Sequence, residues 1–128
     1  MAEIKSFREL NVYKLVRIQS RTIFEISQSF PQEEKYSLTD QIRRSSRAVN
    51  AMIAEAWARR PYIAAFTNKI DEALGEAMET QAWLDHSLDC RYITLAQYQQ
   101  MDAAWQSIGA MLYRMMDKAE SFCPNSNR

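Results

Sequence analysis

Apolar side chains recur at helical spacing through almost the whole chain. Val12, Val16, Ile23, Ile26 and Phe30 mark a first stripe, widened by Leu10, Leu15 and Phe24, and the spacing predicts a helix over residues 7–29. After the polar Gln32-Glu33-Glu34-Lys35 stretch, Leu38, Ile42, Ser45, Val49, Met52, Ile53 and Ala56 follow at intervals of three and four, predicting a helix over 37–59. Ile63, Phe66, Ile70, Ala73, Ala77, Gln81, Leu84 and Leu88 form a third, nearly heptad seam over 62–89, with Pro61 suited to its first position because a missing N–H costs nothing there. Thr94-Leu95-Ala96-Gln97 has the form of a capping box and opens a fourth helix over 94–122, with a stripe through Leu95, Tyr98, Met101, Trp105, Ile108, Leu112, Met115, Ala119 and Phe122.

Pro31, Pro61 and Pro124 fall where these stripes are interrupted, as a residue without a backbone donor should. Residues 124–128 carry no apolar anchor and are expected to fray. Four amphipathic helices on short connections pack most economically as one all-α, antiparallel, up-down-up-down four-helix bundle spanning residues 1–128. Gly75 and Gly109 lie inside predicted helices, where each costs up to about 1 kcal/mol against alanine, and close helix–helix approach would explain them.

Composition agrees with this architecture. Two glycines and three prolines in 128 residues are too few for the turns of a sandwich or barrel, and 47% hydrophobic with 25% charged residues is ordinary for a folded domain. No stretch approaches the ~18 apolar residues of a membrane span, and the first residues lack the apolar run of a secretory signal, so a cytoplasmic location without membrane contact is expected. Cys90 and Cys123 are then expected to be free thiols.

The net charge is zero, but residues 1–60 hold 11 Lys/Arg against 7 Asp/Glu and residues 61–128 hold 5 against 9. Arg43, Arg44 and Arg47 lie within five residues on the second predicted helix and can form one cluster, extended by Lys14, Arg17 and Arg21 of the first. Such a cluster can grip the phosphates of RNA or DNA. The competing reading pairs these arginines with the acidic third helix through bidentate carboxylate contacts.

Large apolar side chains also fall off the seams: Trp57, Met78, Trp83, Met111 and Tyr113. They either broaden the core or mark a surface on which copies of the chain associate. A head-to-tail arrangement would set the basic surface of one subunit against the acidic surface of the next.

Catalytic chemistry finds little support. One histidine, His86, leaves few ways to build a nucleophile–base pair, and neither cysteine lies in a nucleophile motif. Glu72, Glu76 and Glu79 share a helix, but no Glu-x-x-His accompanies them, and His86 with Cys90 offers only two zinc ligands. No Gly-rich phosphate loop occurs, and no cofactor, metal or enzymatic activity is expected.

Four segments carry a resemblance: Phe7-Arg8-Glu9-Leu10-Asn11-Val12-Tyr13; Ser37 to Arg47, reading SLTDQIRRSSR; Ile53-Ala54-Glu55; and Glu79-Thr80-Gln81 with Trp83-Leu84-Asp85. From about Phe7 to Cys123 the chain resembles the bacterial four-helix bundle proteins also called 23S rRNA intervening-sequence proteins. The resemblance implies a left-handed bundle, assembly as a homopentamer and no established enzymatic activity. A related basic branch, the accessory proteins of diversity-generating retroelements, works with nucleic acid. The family's Asn-Ile-Ala-Glu-Gly is departed from here, with Met52 at the Asn position and Ala56 at the Gly position. The expected function is therefore a self-associating, non-enzymatic scaffold. The alternative is a nucleic-acid accessory protein that uses the arginines.

Overall fold

The computed structural model describes residues 3–126. Four long helices carry the fold: α1 Asn11–Ser27, α2 Leu38–Ala58, α3 Ile63–Asp89 and α4 Leu95–Asp117. A single helical turn, α5, covers Ala119–Phe122, and short 3-10 turns cover Phe7–Glu9 and Gln32–Glu34. Among the described residues there is no strand.

Cross-helix bonds show how the helices pair. Ser27 and Ser20 of α1 meet Arg43 and Ser46 of α2, and the Asn50 amide donates to the Tyr13 carbonyl, so partner numbers fall on one helix as they rise on the other. The same holds for α2 with α3, through Ser45–Thr80 and Glu55–Lys69. It holds again for α3 with α4, through Asp85–Tyr98 and Gln81–Asp102. Contacts between α1 and α4 close the bundle. Val16, Ile23, Ile42, Val49, Ile53, Phe66, Ile70, Leu84, Trp105, Ile108 and Leu112 fill its interior. The Trp105 indole N–H there has no partner, so its desolvation is offset by packing of the ring alone.

Three helix ends differ from the periodicity reading. The first helix starts at Asn11 rather than residue 7, because Ser6 and Glu9 form a capping box that closes a separate 3-10 turn and leaves Leu10 extended. Pro61 lies in the turn before α3, where Tyr62 N–H donates to the Arg59 carbonyl at 2.8 Å, and the helix proper begins two residues later. The fourth helix breaks at Lys118 (φ −111°, ψ 34°), and α5 then stacks Phe122 on Phe66 of α3 with ring centroids 6.0 Å apart. The capping box at Thr94 and Gln97 is present as the sequence reads.

The tail is tied down rather than frayed through Ser126. Its hydroxyl accepts the Ile63 N–H at 2.7 Å, supplying from the C-terminus the cap that Tyr62 cannot give α3. Residues 127–128 lie outside the described residues. Close approach does not explain the glycines within the chain. A Cβ on Gly109 would make ordinary contact with Leu74 at 3.5 Å, and one on Gly75 would meet nothing within 4 Å.

The third helix ends in a Schellman arrangement: Tyr92 N–H donates to the Ser87 carbonyl and Arg91 N–H to the Leu88 carbonyl, both at 2.9 Å. This requires Arg91 at φ 62°, a left-handed conformation that costs a residue with a Cβ roughly 1–2 kcal/mol and glycine almost nothing. Tyr92 then reaches the α1–α2 connection, donating its hydroxyl to Glu34 at 2.8 Å. Arg91→Gly is therefore expected to stabilise the fold by about 0.5–1 kcal/mol, after the greater unfolded-state freedom of glycine is subtracted. Urea unfolding measures this, and an unchanged or lowered midpoint would contradict it.

Candidate functional site

The arginines of α2 divide between the two flanking helices. Successive residues on an α-helix stand about 100° apart, which puts Arg47 between the other two, about 40° from Arg43 and about 60° from Arg44. The expected single cluster of three is split by the partners that α1 and α3 offer. Arg44 faces α3, where its guanidinium pairs with Glu76 at 3.1 Å and with Glu79, while its Nε donates to the Gln41 side chain. Glu79 also accepts the Trp83 indole N–H at 3.0 Å. The carboxylates beside Arg44 hold its pKa above the ordinary arginine value, despite desolvation acting in the opposite sense. Directly beneath, the buried hydroxyls of Ser45 and Thr80 bond at 2.8 Å. Lys69 continues the ladder between Glu55 and Glu72, at 3.4 and 3.1 Å, and both carboxylates raise its pKa.

Arg43 and Arg47 face α1 instead. The Arg43 guanidinium lies 4.7 Å from the Phe24 ring centroid and the Arg47 guanidinium 5.6 Å, while Arg43 Nε donates to the Ser27 hydroxyl at 2.8 Å. Phe24 continues the i, i+4, i+7 row of Arg17 and Arg21, and Lys14 precedes it by one turn, so these exposed side chains form one row beside Arg43 and Arg47. Among the described residues neither Arg17, Arg21 nor Arg47 is in an ion pair. Exposed Glu25 and Asp40 stand at the margins of this basic face.

The off-seam apolar residues also separate. Trp57, Trp83 and Met111 are half-buried and pack against the core, and Arg60 covers the Trp57 ring at 3.6 Å from its centroid. Met78 and Tyr113 stay exposed, at 59% and 63%, on α3 and α4. Leu95, which the stripe places inward, is the first residue of α4 and is 59% exposed.

His86 lies against Trp83, ring centroids 5.9 Å apart, and the carboxylates of Glu72, Glu76 and Glu79 are all engaged with cations. Among the described residues no group of three His, Cys, Asp or Glu is placed to hold a metal ion, and no helix is long and apolar enough to cross a membrane. Cys90 is an exposed free thiol and Cys123 a buried one, its pKa raised by desolvation.

Four long helices enclosing one core, with an arginine-bearing helix packed between two others, define a helical-bundle protein. The profile of the 23S rRNA-intervening sequence proteins matches residues 8–114, and the chain belongs to that family. Its fold is similar to the 1.70 Å crystal structure of a protein of unknown function from the S23 ribosomal protein family of Bacteroides thetaiotaomicron. The two chains are 29% identical with a TM-score of 0.75, over 84% of this chain and 96% of the other. No curated protein matches the chain.

Proposed function

We propose that the protein is a non-enzymatic scaffold that works as a homo-oligomer, associating through the outer face of α3 and α4. The observation that carries this reading is the pair Met78 and Tyr113, large side chains left in water on neighbouring helices whose other off-seam apolar residues are at least half covered. Gly75, one turn from Met78, supports it: the residue weakens α3 by up to about 1 kcal/mol and nothing within the chain needs the space. A second copy closing on this face would use both features, since burial of apolar surface contributes roughly 25 cal/mol per Å². The homopentamer implied by family resemblance sets the expected stoichiometry. Sedimentation equilibrium at micromolar concentration should give about five times the 15.0 kDa chain mass. A Met78→Asp/Tyr113→Glu variant, altered only at exposed positions, should sediment as a folded monomer. A native protein that stays monomeric would refute the reading.

The basic face of α1 and α2 favours a second reading, in which the assembled scaffold binds RNA or DNA. Arg43 and Arg47 lie over the partly exposed Phe24 and Arg17 and Arg21 precede it on the same row of α1, whereas Arg44 is taken by α3. Phosphate neutralisation releases counterions, so binding to a structured RNA should weaken steeply between about 50 and 200 mM salt. Alanine at Arg17, Arg21 and Arg47 should abolish binding, while Arg44→Ala should leave it within about twofold. RNA affinity that is absent at low salt, or equally sensitive to Arg44, would contradict this reading.

A further inference from the structure

The seam between α1 and α4 is the loosest of the four. Among the described residues no hydrogen bond or ion pair joins these two helices, whereas polar bonds tie each of the other neighbouring pairs. Cavities open at both ends of the seam, one of about 370 Å³ and one of about 170 Å³. Leu15, Ile26 and Met111 are only partly buried, and Ile18 of α1 is 55% exposed. The larger cavity is lined by Leu10, Val12, Met111, Met115 and Phe122, together with the exposed cations Arg114 and Lys118. The Glu9 carboxylate in its wall is occupied by the N–H groups of Lys5 and Ser6.

The adjoining side of the bundle, the outer face of α3 and α4, has the opposite charge. Asp71, Met78 and Asp85 recur every seven residues on α3, and Asp102, Tyr113 and Asp117 share a row on α4. The antiparallel pairs Gln81–Asp102 and Asp85–Tyr98 set a register that brings Asp71 level with Tyr113 to within about one helical turn. Tyr113, exposed to water, therefore stands between Asp71 and Asp117. No cation of these helices intrudes, since Lys69 is turned to Glu55 of α2 and Arg114 stands about 100° from Tyr113 around α4. An exposed ring among aspartates on one side and an apolar cavity beside two cations on the next complement each other in hydrophobicity and in charge.

Rings constrain which surfaces can meet. A head-to-tail contact closes only if the two surfaces of a subunit are inclined, by about 90° for four copies and about 108° for five. The α3–α4 and α1–α4 sides of the bundle share α4 and stand about 90° apart. The α1–α2 side is opposite, about 180° away, and a contact there would run on as an open filament.

We propose that the α1–α4 groove is the receiving surface for a second copy of this chain, which seats its α3–α4 face there with Tyr113 entering the cavity beside Arg114 and Lys118. The pairing rests on self-association through the outer face of α3 and α4 and adds the surface which that face meets. Phe24, Arg43 and Arg47 stay on the outside of the ring.

Mixing two full-length variants tests the pairing by sedimentation equilibrium, with circular dichroism confirming that each is helical. Met78→Asp/Tyr113→Glu keeps the groove and loses the face, whereas Ile18→Asp/Arg114→Glu keeps the face and loses the groove. Each alone should sediment at the 15.0 kDa chain mass. An equimolar mixture at about 100 μM should form a one-to-one complex of about twice that mass, since one contact is intact and no ring can close. A charge exchange supplies independent variants: Asp71→Lys/Asp117→Lys should weaken assembly about tenfold, and adding Arg114→Glu/Lys118→Glu should restore it to within about threefold. A native chain that stays monomeric overturns both the self-association and this pairing. A native oligomer whose groove variant assembles unchanged, a mixture that stays monomeric, or a charge exchange that restores nothing overturns the pairing alone.

Discussion

The hydrogen bond between Ser45 and Thr80, closed at 2.8 Å with both residues fully buried, fixes how α2 sits on α3. A buried hydroxyl pair tolerates no slip of one helix along the other, because each group would lose its partner without gaining water. Thr80 also donates back to the Glu76 carbonyl of its own helix, which holds its side chain in place. With this register set, Arg44 is carried to Glu76 and Glu79, and Lys69 to Glu55 and Glu72. Arg43 and Arg47 lie against Phe24 of α1 instead. The distribution of charge along α2 thus follows from the register with α3 on one side and the Phe24 ring on the other.

That division bears on the chemistry the surface can perform. Arg44 is neutralised within the fold, which leaves the outward positive charge of this face with Lys14, Arg17, Arg21, Arg43 and Arg47. Phe24 underlies two of these, holding their guanidiniums at 4.7 and 5.6 Å and limiting the freedom that would be lost on meeting an anion. The acidic residues of α3 do not form a free patch, for three of them are tied to cations from α2 or from α3 itself. Attraction between subunits through whole-helix charge asymmetry is reduced by the same amount, and Met78 and Tyr113 carry more of the argument for association.

The four helices were legible because three-four periodicity survives in every one of them, and the Thr94–Gln97 box declares its own cap. The separate turn before α1 has an equally plain sign in Ser6-x-x-Glu9, the same type of box, although the helical spacing reads on through it. The seam of α3 was misplaced for a different reason. Its buried row continues from Ala77 through Thr80, Leu84 and Ser87, whereas the near-heptad spacing runs through Gln81 and Leu88, which are half-buried beside it. Polar residues satisfied inside a core are invisible to an apolar count. Helix angles alone do not separate Arg44 from Arg47, which stand only about 60° apart; the division depends on where α3 places Glu76 and Glu79, and so on a register that no local pattern contains. The Ser126 cap on α3 joins residues 63 apart and had no sequence signal.

Arg44 belongs to the α2–α3 seam, whereas Arg43 and Arg47 lie against α1. A double-mutant cycle on Arg44→Ala and Glu79→Gln, read by urea unfolding, tests it most directly. Both side chains are over a third exposed, so solvent screening keeps the expected coupling to about 0.3–1 kcal/mol at low salt, falling by half or more near 1 M salt. The matching cycle with Arg47→Ala should give no coupling. Coupling of Glu79 to Arg47 and none to Arg44 would contradict the account.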